Sequence, residues 1–459
     1  GVDKEGKLVA KDMHSYSNQG AYASHGHAIA ANGLTSWRLQ YACPNIRGEA
    51  YTIYTNTPVG GAMRGYGIPQ VCFAIESFMD DVANEIHMDP LEFRRKNLIQ
   101  GYYEDAYLKP IAANTNGIFE CLEKGAEYIH WDEKRKEYAE QAGDVRKGVG
   151  MALFSYKTGV WPISLEIAGA RLSLNQDGSV QLMLGATEIG QGADTVFSQM
   201  VAETLHTDME HVHIKTVQDT DVSPFDTGAY ASRQSFVTGT AVRHCAEILR
   251  DKILAYAKTL LPEIDTRELT LKDNWIWAGD EQAISLAALA EESYYSLTNS
   301  SVLTSEVSEQ VKKNTIATGC CFAEVEVDIK LGKIKILHII NVHDSGKLLN
   351  PQLAEMQVHG GMSMGMGYGI SEQLILDEKT GRPLNGNLLD YKLMTMLDTP
   401  DIKADFVELC DPMGPYGNKA LGEPPAIPCA PAIRNAVLHA TGVAFYENPL
   451  TPQRLIDGF

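Results

Sequence analysis

Two stretches of strict alternation constrain the fold more than any other feature of the chain. In "RLSLNQDGSVQLMLGA", residues 171–186, apolar and polar side chains alternate on both sides of Asp177-Gly178. In "FAEVEVDIKLGKIKILHIINV", residues 322–342, the same pattern turns at Leu331-Gly332. Successive strand side chains point to opposite faces, and glycine tolerates the positive φ of a tight turn, so each stretch predicts a β-hairpin. Around them, apolar residues recur at helical spacing. The stretch 71–88 carries Phe73, Phe78, Val82 and Ile86, and 118–141 reads as one long helix with a polar face. The stretch 193–205 has Val196, Met200 and Leu205 on one side, and 235–257 is a further helix. Asp89-Pro90 restarts a short basic helix, "HVHIKTV" predicts a strand, and 261–282 a small excursion. Residues 101–116 read as loop. Strands and helices interleave without a βαβ rhythm, which predicts an α+β fold with mixed sheets.

With 459 residues, the chain exceeds what one core can hold, so two to four domains are expected. A formal charge of −20 without a basic stripe argues against a nucleic-acid partner. No apolar run reaches the roughly 18 residues of a membrane span, and no signal peptide opens the chain. Eight cysteines include one close pair, Cys320-Cys321, and no C-x-x-C, so neither a zinc site nor an iron–sulfur cluster is expected. A reduced, cytoplasmic protein fits these features. Lys4 to Lys7 resembles a hairpin turn, yet only three residues precede it and there is no initiating Met. A piece of a longer protein is the expectation.

Four glycine-bearing loops are candidates for chemistry. "GGAMRGYGIPQ", residues 60–70, sets Arg64 among glycines beside Tyr66. Glycines let backbone approach a ligand, although a glycine-rich turn with a surface arginine accounts for the stretch equally well. "TEIGQGADT", 187–195, places Gly190, Gln191 and Gly192 before a helix, where free backbone N–H groups would suit an anion. A plain strand-to-helix turn is the alternative. "TGAYASRQSFVTG", 227–239, brings hydroxyls to another helix start and reads equally as a helix cap. In "LGEPP", 421–425, Glu423 stands between a glycine and two prolines. A stiff apolar surround would raise its pKa, as a general base near neutral pH requires, whereas a solvated carboxylate at a helix start is the competing reading. Gln357 stands out in a Gly- and Met-rich stretch that otherwise reads as a buried helix. His25 and His27 in a loop-like run, and His211 and His213 on a strand, lack partners at metal-ligand spacing and read as structural.

Seven motifs in order resemble the molybdenum-binding large subunit of the xanthine dehydrogenase and aldehyde oxidase family. They are "PNIRG" (44–48), "GAMRGYGIPQ" (61–70), "FRRKNL" (93–98), "TEIGQG" (187–192), "ASRQSFVTGTA" (231–241), "NPQLAEMQVHGG" (350–361) and "LGEPP". The resemblance implies an elongated two-domain architecture. Residues 1–115 would be the C-terminal part of one molybdopterin-binding domain and 116–459 a second. It implies a molybdenum held by the dithiolene of a pterin (mononucleotide or cytosine dinucleotide) rather than by side chains. Glu423 matches the catalytic base, and Arg64 lines the metal's oxygen side with Met63 and Gly65. Tyr66 matches the aromatic beside a flat substrate. Gly190, Gln191, Gly192, Ala231, Ser232, Arg233, Gln234 and Gln357 would hold the cofactor. Asn32 falls where purine hydroxylases use an arginine to orient the ring, and the loop at Arg64 lacks the cysteine of carbon monoxide dehydrogenases. The implied activity is hydroxylation of an N-heteroaromatic compound, a purine first, with electrons leaving through [2Fe-2S] and FAD centres on partner subunits or domains. A dimer of the full complex is expected. An aldehyde oxidoreductase, an aryl-CoA reductase or an inactive cofactor-binding scaffold are the alternatives.

Overall fold

The computed structural model describes residues 1–100, 103–105, 109–111, 115–215 and 217–459. Half of the 101–116 stretch read as loop therefore lies outside the described residues, and within the rest Tyr103–Asp105 pairs antiparallel with Lys109–Ile111. Contacts divide the chain into two compact units. One comprises Gly1–Lys157, Thr315–Cys410 and Ala420–Phe459; the other comprises Thr158–Asn314 and Asp411–Lys419. This division by compactness cuts the chain elsewhere than the 115/116 boundary.

The first unit is organised by a four-stranded mixed sheet. The hairpin expected at Leu331-Gly332 forms from Ile316–Asp328 and Lys333–Asp344. Val145–Lys157 joins it antiparallel on one side and Asp401–Phe406 parallel on the other. Both faces are buried. Cys320 and Phe322 pack in one core with Leu122, Ile129 and Trp131, while Cys321 and Ala323 pack in another with Val358, Met362 and Ile433. A strand buried on both faces loses its polar alternation, which is why Val145–Lys157 does not read as a strand from sequence. Its Gly148 and Gly150 lie directly on the helix Cys429–Thr441, where a Cβ would meet backbone atoms of Ala436 at 2.1 Å in each case.

Several sequence expectations need correction here. The helix Ile68–Glu85 forms, but Phe78 is 61% exposed and the core face is carried by Phe73, Ile75 and Met79. The single helix expected over 118–141 is two, Ile118–Ile129 and Trp131–Glu137, broken at His130 in a left-handed conformation. A βαβ unit does occur: Lys11–Gly20 and Ile46–Tyr54 pair in parallel across the helix Gly26–Leu39, which includes the supposedly loop-like His27. The turn at its start behaves as read, with Val2 and Leu8 bridged antiparallel.

In the second unit, the Asp177-Gly178 hairpin pairs Ile167–Leu174 with Val180–Leu184. Thr304–Gln310 and the short Val212–Ile214 complete a mixed four-stranded sheet, the latter in parallel. Helices Ala193–Leu205 and Gln234–Leu260 bury Phe197, Met200, Leu205, Phe236 and Leu249. His211 lies in a short 3-10 turn before the strand that carries His213. The excursion is a three-stranded meander over Leu269–Lys272, Trp275–Ala278 and Glu281–Ser285. Among the described residues, no helix is long and apolar enough to cross a membrane.

Candidate active site

In the first unit, the chain's head and tail meet at Arg64. The guanidinium sits in the turn that leads into the helix Ile68–Glu85 and is tied down by main-chain oxygens. Its Nε donates to the Gly422 carbonyl at 2.6 Å, and Nη2 donates to the Gln357 carbonyl at 2.9 Å and reaches Gln357 Oε1 at 3.5 Å. Nη1 lies 3.9 Å from the Met364 sulfur. Glu423 follows Gly422, and its Oε1 accepts from the Gly65 N–H at 3.2 Å, across 358 positions of sequence. Its other oxygen accepts from the Tyr156 hydroxyl. Burial pulls the Arg64 pKa below its ordinary value, and the nearby Glu423 charge opposes that pull. Glu423 is thus not simply an apolar-walled carboxyl: a peptide N–H, a hydroxyl and a neighbouring cation stabilise its charged form.

Tyr66 stands beside Arg64 with its hydroxyl 2.7 Å from His25 Nδ1. Its carbonyl accepts from Asn32 Nδ2 at 3.0 Å. Met63 is 60% exposed. A cavity of about 200 Å³ opens here, lined in part by Met63, Arg64, Tyr66, Tyr368, Glu372 and Tyr391, with Glu423 outside its lining. Tyr391 donates to Glu372 at 2.9 Å. Beneath the cluster, His343 is fully buried against Phe154, and neither ring nitrogen has a hydrogen-bond partner among the described residues. Burial first, and the Arg64 charge second, lower its pKa to about 3, so the ring is neutral.

The second unit brings two of the other loops together. Gln191 Nε2 donates to Gln234 Oε1 at 2.7 Å, and both amides donate to the Thr187 carbonyl. The N–H groups expected to be free at this helix start are not. Those of Gly190, Gly192 and Asp194 donate to the Glu188 carboxylate at 2.6, 3.1 and 3.1 Å. Although burial opposes it, this set of backbone donors lowers the Glu188 pKa. The loop does attract an anion, as helix starts do, but here the anion is its own side chain. Ala231 and Ser232 both hold positive φ, at 48° and 49°. Arg233 is fully buried, with Nε on Glu166 and Nη1 on Asp226 at 2.6 Å each and Nη2 on the Ile167 carbonyl at 2.9 Å. Its side chain is therefore committed to the fold, and its backbone is engaged as well, the N–H donating to the Tyr230 carbonyl at 3.1 Å and the carbonyl accepting from Phe236 and Val237.

Sequence reasoning missed His25, Tyr156, His343 and Glu188. One signal was readable: His25 and Asn32 lie seven positions apart, two turns of one helix.

Over residues 1–98 and 124–400, the sequence matches the molybdopterin cofactor-binding domain. The second match alone takes in more than half of the chain, and the chain belongs to that family. It is 47% identical to the putative xanthine dehydrogenase molybdenum-binding subunit XdhA of Escherichia coli (strain K12), covering 100% of this chain and 61% of that protein. It is 27% identical to the aldehyde oxidoreductase molybdenum-binding subunit PaoC of the same strain, covering 100% and 59%. The chain thus spans 61% or less of the length of these relatives. Among solved structures, quinoline 2-oxidoreductase from Pseudomonas putida 86 superposes with a TM-score of 0.91 at 24% identity, covering 99% of this chain and 60% of that one. Aldehyde oxidoreductase from Desulfovibrio gigas gives 0.81 at 24%, covering 100% and 48%. At such identity these two structures show a shared fold.

Proposed function

We propose that the chain is the main part of a molybdenum hydroxylase of the xanthine dehydrogenase type. It would hydroxylate an N-heteroaromatic substrate, a purine first, with oxygen from water. The observation that carries the reading is the junction of Arg64, Gly65, Gln357 and Glu423, distant in sequence and joined through hydrogen bonds. Bare backbone supports a fit to the cofactor: a Cβ at Gly61 or Gly190 would meet nothing within 4 Å, and one at Gly360 only Arg64 Nη1 at 3.8 Å. Among the described residues, no cluster of three or more His, Cys, Asp or Glu could itself hold a metal. In this reading Gln357, Met63 and Gly65 hold the cofactor, and the resemblance gives Gly190, Gln191, Gly192, Ala231, Ser232, Arg233 and Gln234 the same part.

When bound, molybdopterin supplies a Lewis-acidic metal that activates water and accepts two electrons. The chain supplies the proton handling and the electrostatics. The Glu423 carboxylate, oriented by Gly65 N–H and Tyr156 hydroxyl, takes up the proton of the attacking water. The Arg64 cation, fixed by two carbonyls, stabilises negative charge that develops on substrate oxygen or nitrogen. The Tyr66 ring offers a face to a flat substrate. Electrons would leave through iron–sulfur and flavin centres on partner subunits or domains. The 115/116 domain boundary, a cytoplasmic location and a dimeric full complex belong to the same proposal. A panel of purines, nicotinate and aldehydes, assayed on the intact complex with an artificial electron acceptor, tests it. Turnover of purines above aldehydes is expected. Turnover of aldehydes alone would move the assignment to an aldehyde oxidoreductase, and molybdenum-free, inactive complex would leave a scaffold.

A further inference from the structure

Tyr66 is gripped at both ends by one helix face. His25 immediately precedes the helix Gly26–Leu39, and Asn32 lies two turns along from it. Seven positions at about 100° each return to nearly the same direction, so both side chains point to one side. Asn32 Nδ2 donates to the Tyr66 carbonyl at 3.0 Å. His25 Nδ1 lies 2.7 Å from the Tyr66 hydroxyl, with the rings edge to face at 88° and centroids 5.9 Å apart. Tyr66 itself holds φ at +50°, between Gly65 at +94° and Gly67 at +87°. A left-handed non-glycine residue costs about 1 kcal/mol or more and persists only where its surroundings fix it.

We propose that His25 is a positioning residue that fixes the Tyr66 ring through its phenol while Asn32 fixes the peptide beneath it. The helix Gly26–Leu39, whose Ile29 also lines the cavity, thereby sets selectivity for planar aromatic substrates through the Tyr66 ring. This rests on Tyr66 flanking the substrate, as proposed above. It also adds to the part given to Asn32: its amide nitrogen donates to the Tyr66 carbonyl, so it acts on the loop. A phenylalanine at 66 would leave His25 nothing to bond, so the device depends on the tyrosine hydroxyl.

The test uses His25→Leu, which removes the bond, and His25→Asn, whose amide group can stand near the position of Nδ1. In the intact complex, His25→Leu should raise KM for hypoxanthine and nicotinate about 5-fold, the loss of one ordinary hydrogen bond, with kcat little changed. KM for acetaldehyde should stay put, His25→Asn should recover most of the loss, and His25→Leu should add nothing in a Tyr66→Phe background. An unchanged KM, an equal loss for all three substrates, or additive effects would overturn the proposal. A second readout needs no turnover. In 3-fluorotyrosine-labelled protein, the ¹⁹F resonance missing from Tyr66→Phe should move in His25→Leu and return towards its position in His25→Asn. A resonance indifferent to His25→Leu would overturn the pairing. Wild-type complex that turns over none of the substrates would instead remove the proposed function and leave the spectroscopic result to decide the pairing.

Discussion

Glu423→Gln in the complete complex separates proton transfer from packing. Gln matches Glu in shape, so its carbonyl oxygen can keep the Gly65 N–H, now 3.2 Å from Oε1. The Tyr156 hydroxyl, which now donates to the other carboxylate oxygen, can turn to accept from the amide. What disappears is one negative charge beside the partly desolvated Arg64. The exchanged hydrogen bonds are each worth about 1 kcal/mol net, so the melting temperature should move by only a few degrees. The chemistry should suffer far more. Loss of a positioned general base lowers kcat by about 10²- to 10⁴-fold, or roughly 3 to 5 kcal/mol of barrier. The assay is steady-state turnover with an artificial acceptor, with molybdenum measured on the same sample by mass spectrometry. A variant that keeps its molybdenum and turns over within about tenfold of wild type would remove Glu423 as the base.

Three other outcomes follow from the structure. Arg64→Met strips the donors from Gly422 and Gln357, and should lower kcat/KM by about 10²- to 10³-fold for substrates that gather negative charge. Equal losses across all substrates would count against a role in charge stabilisation. Arg94, fully buried between Glu76 and Asp80 at 2.8 and 2.6 Å, tests the core: Arg94→Met strands two buried carboxylates and should cost about 3 to 5 kcal/mol in chemical denaturation. A loss below about 1 kcal/mol would show the pair to be relaxed or solvated. His343 and His439 have pKa values lowered by burial to about 3 and about 4, from an ordinary 6.5. The unfolded chain then binds their protons first, so stability is full above pH 6.5 and falls as pH drops towards those values. Each histidine contributes a slope of up to about 1.4 kcal/mol per pH unit, and His343→Leu should flatten the acid side of a melting-temperature profile. An identical profile in that variant would refute the assignment.

The parts of the fold that were readable in the sequence share one physical property: their pattern is local. Asp177-Gly178 and Leu331-Gly332 announce their hairpins because turn chemistry and alternation lie within a few residues of each other. Val145–Lys157 was hidden because burial on both faces erases alternation. Ile46–Tyr54 was hidden for the opposite reason, being a polar strand with largely exposed or half-buried side chains. His130 ends a helix through a left-handed conformation that histidine does not advertise. At the site, the glycine loops and Glu423 stood out, but what surrounds them came from distant strands and helices. Tyr156 enters from an edge strand of the four-stranded sheet, and Glu188 fills a turn that read as open. Arg233 could be taken for a cofactor ligand because its partners, Glu166 and Asp226, are 67 and 7 positions away.

Anomalous scattering at the molybdenum edge, recorded from crystals of the cofactor-loaded complex, tests the central claim most directly. A single peak should stand in front of Arg64 and within one bridging water of the Glu423 carboxylate. A peak away from both, with that carboxylate facing bulk solvent, would contradict the account.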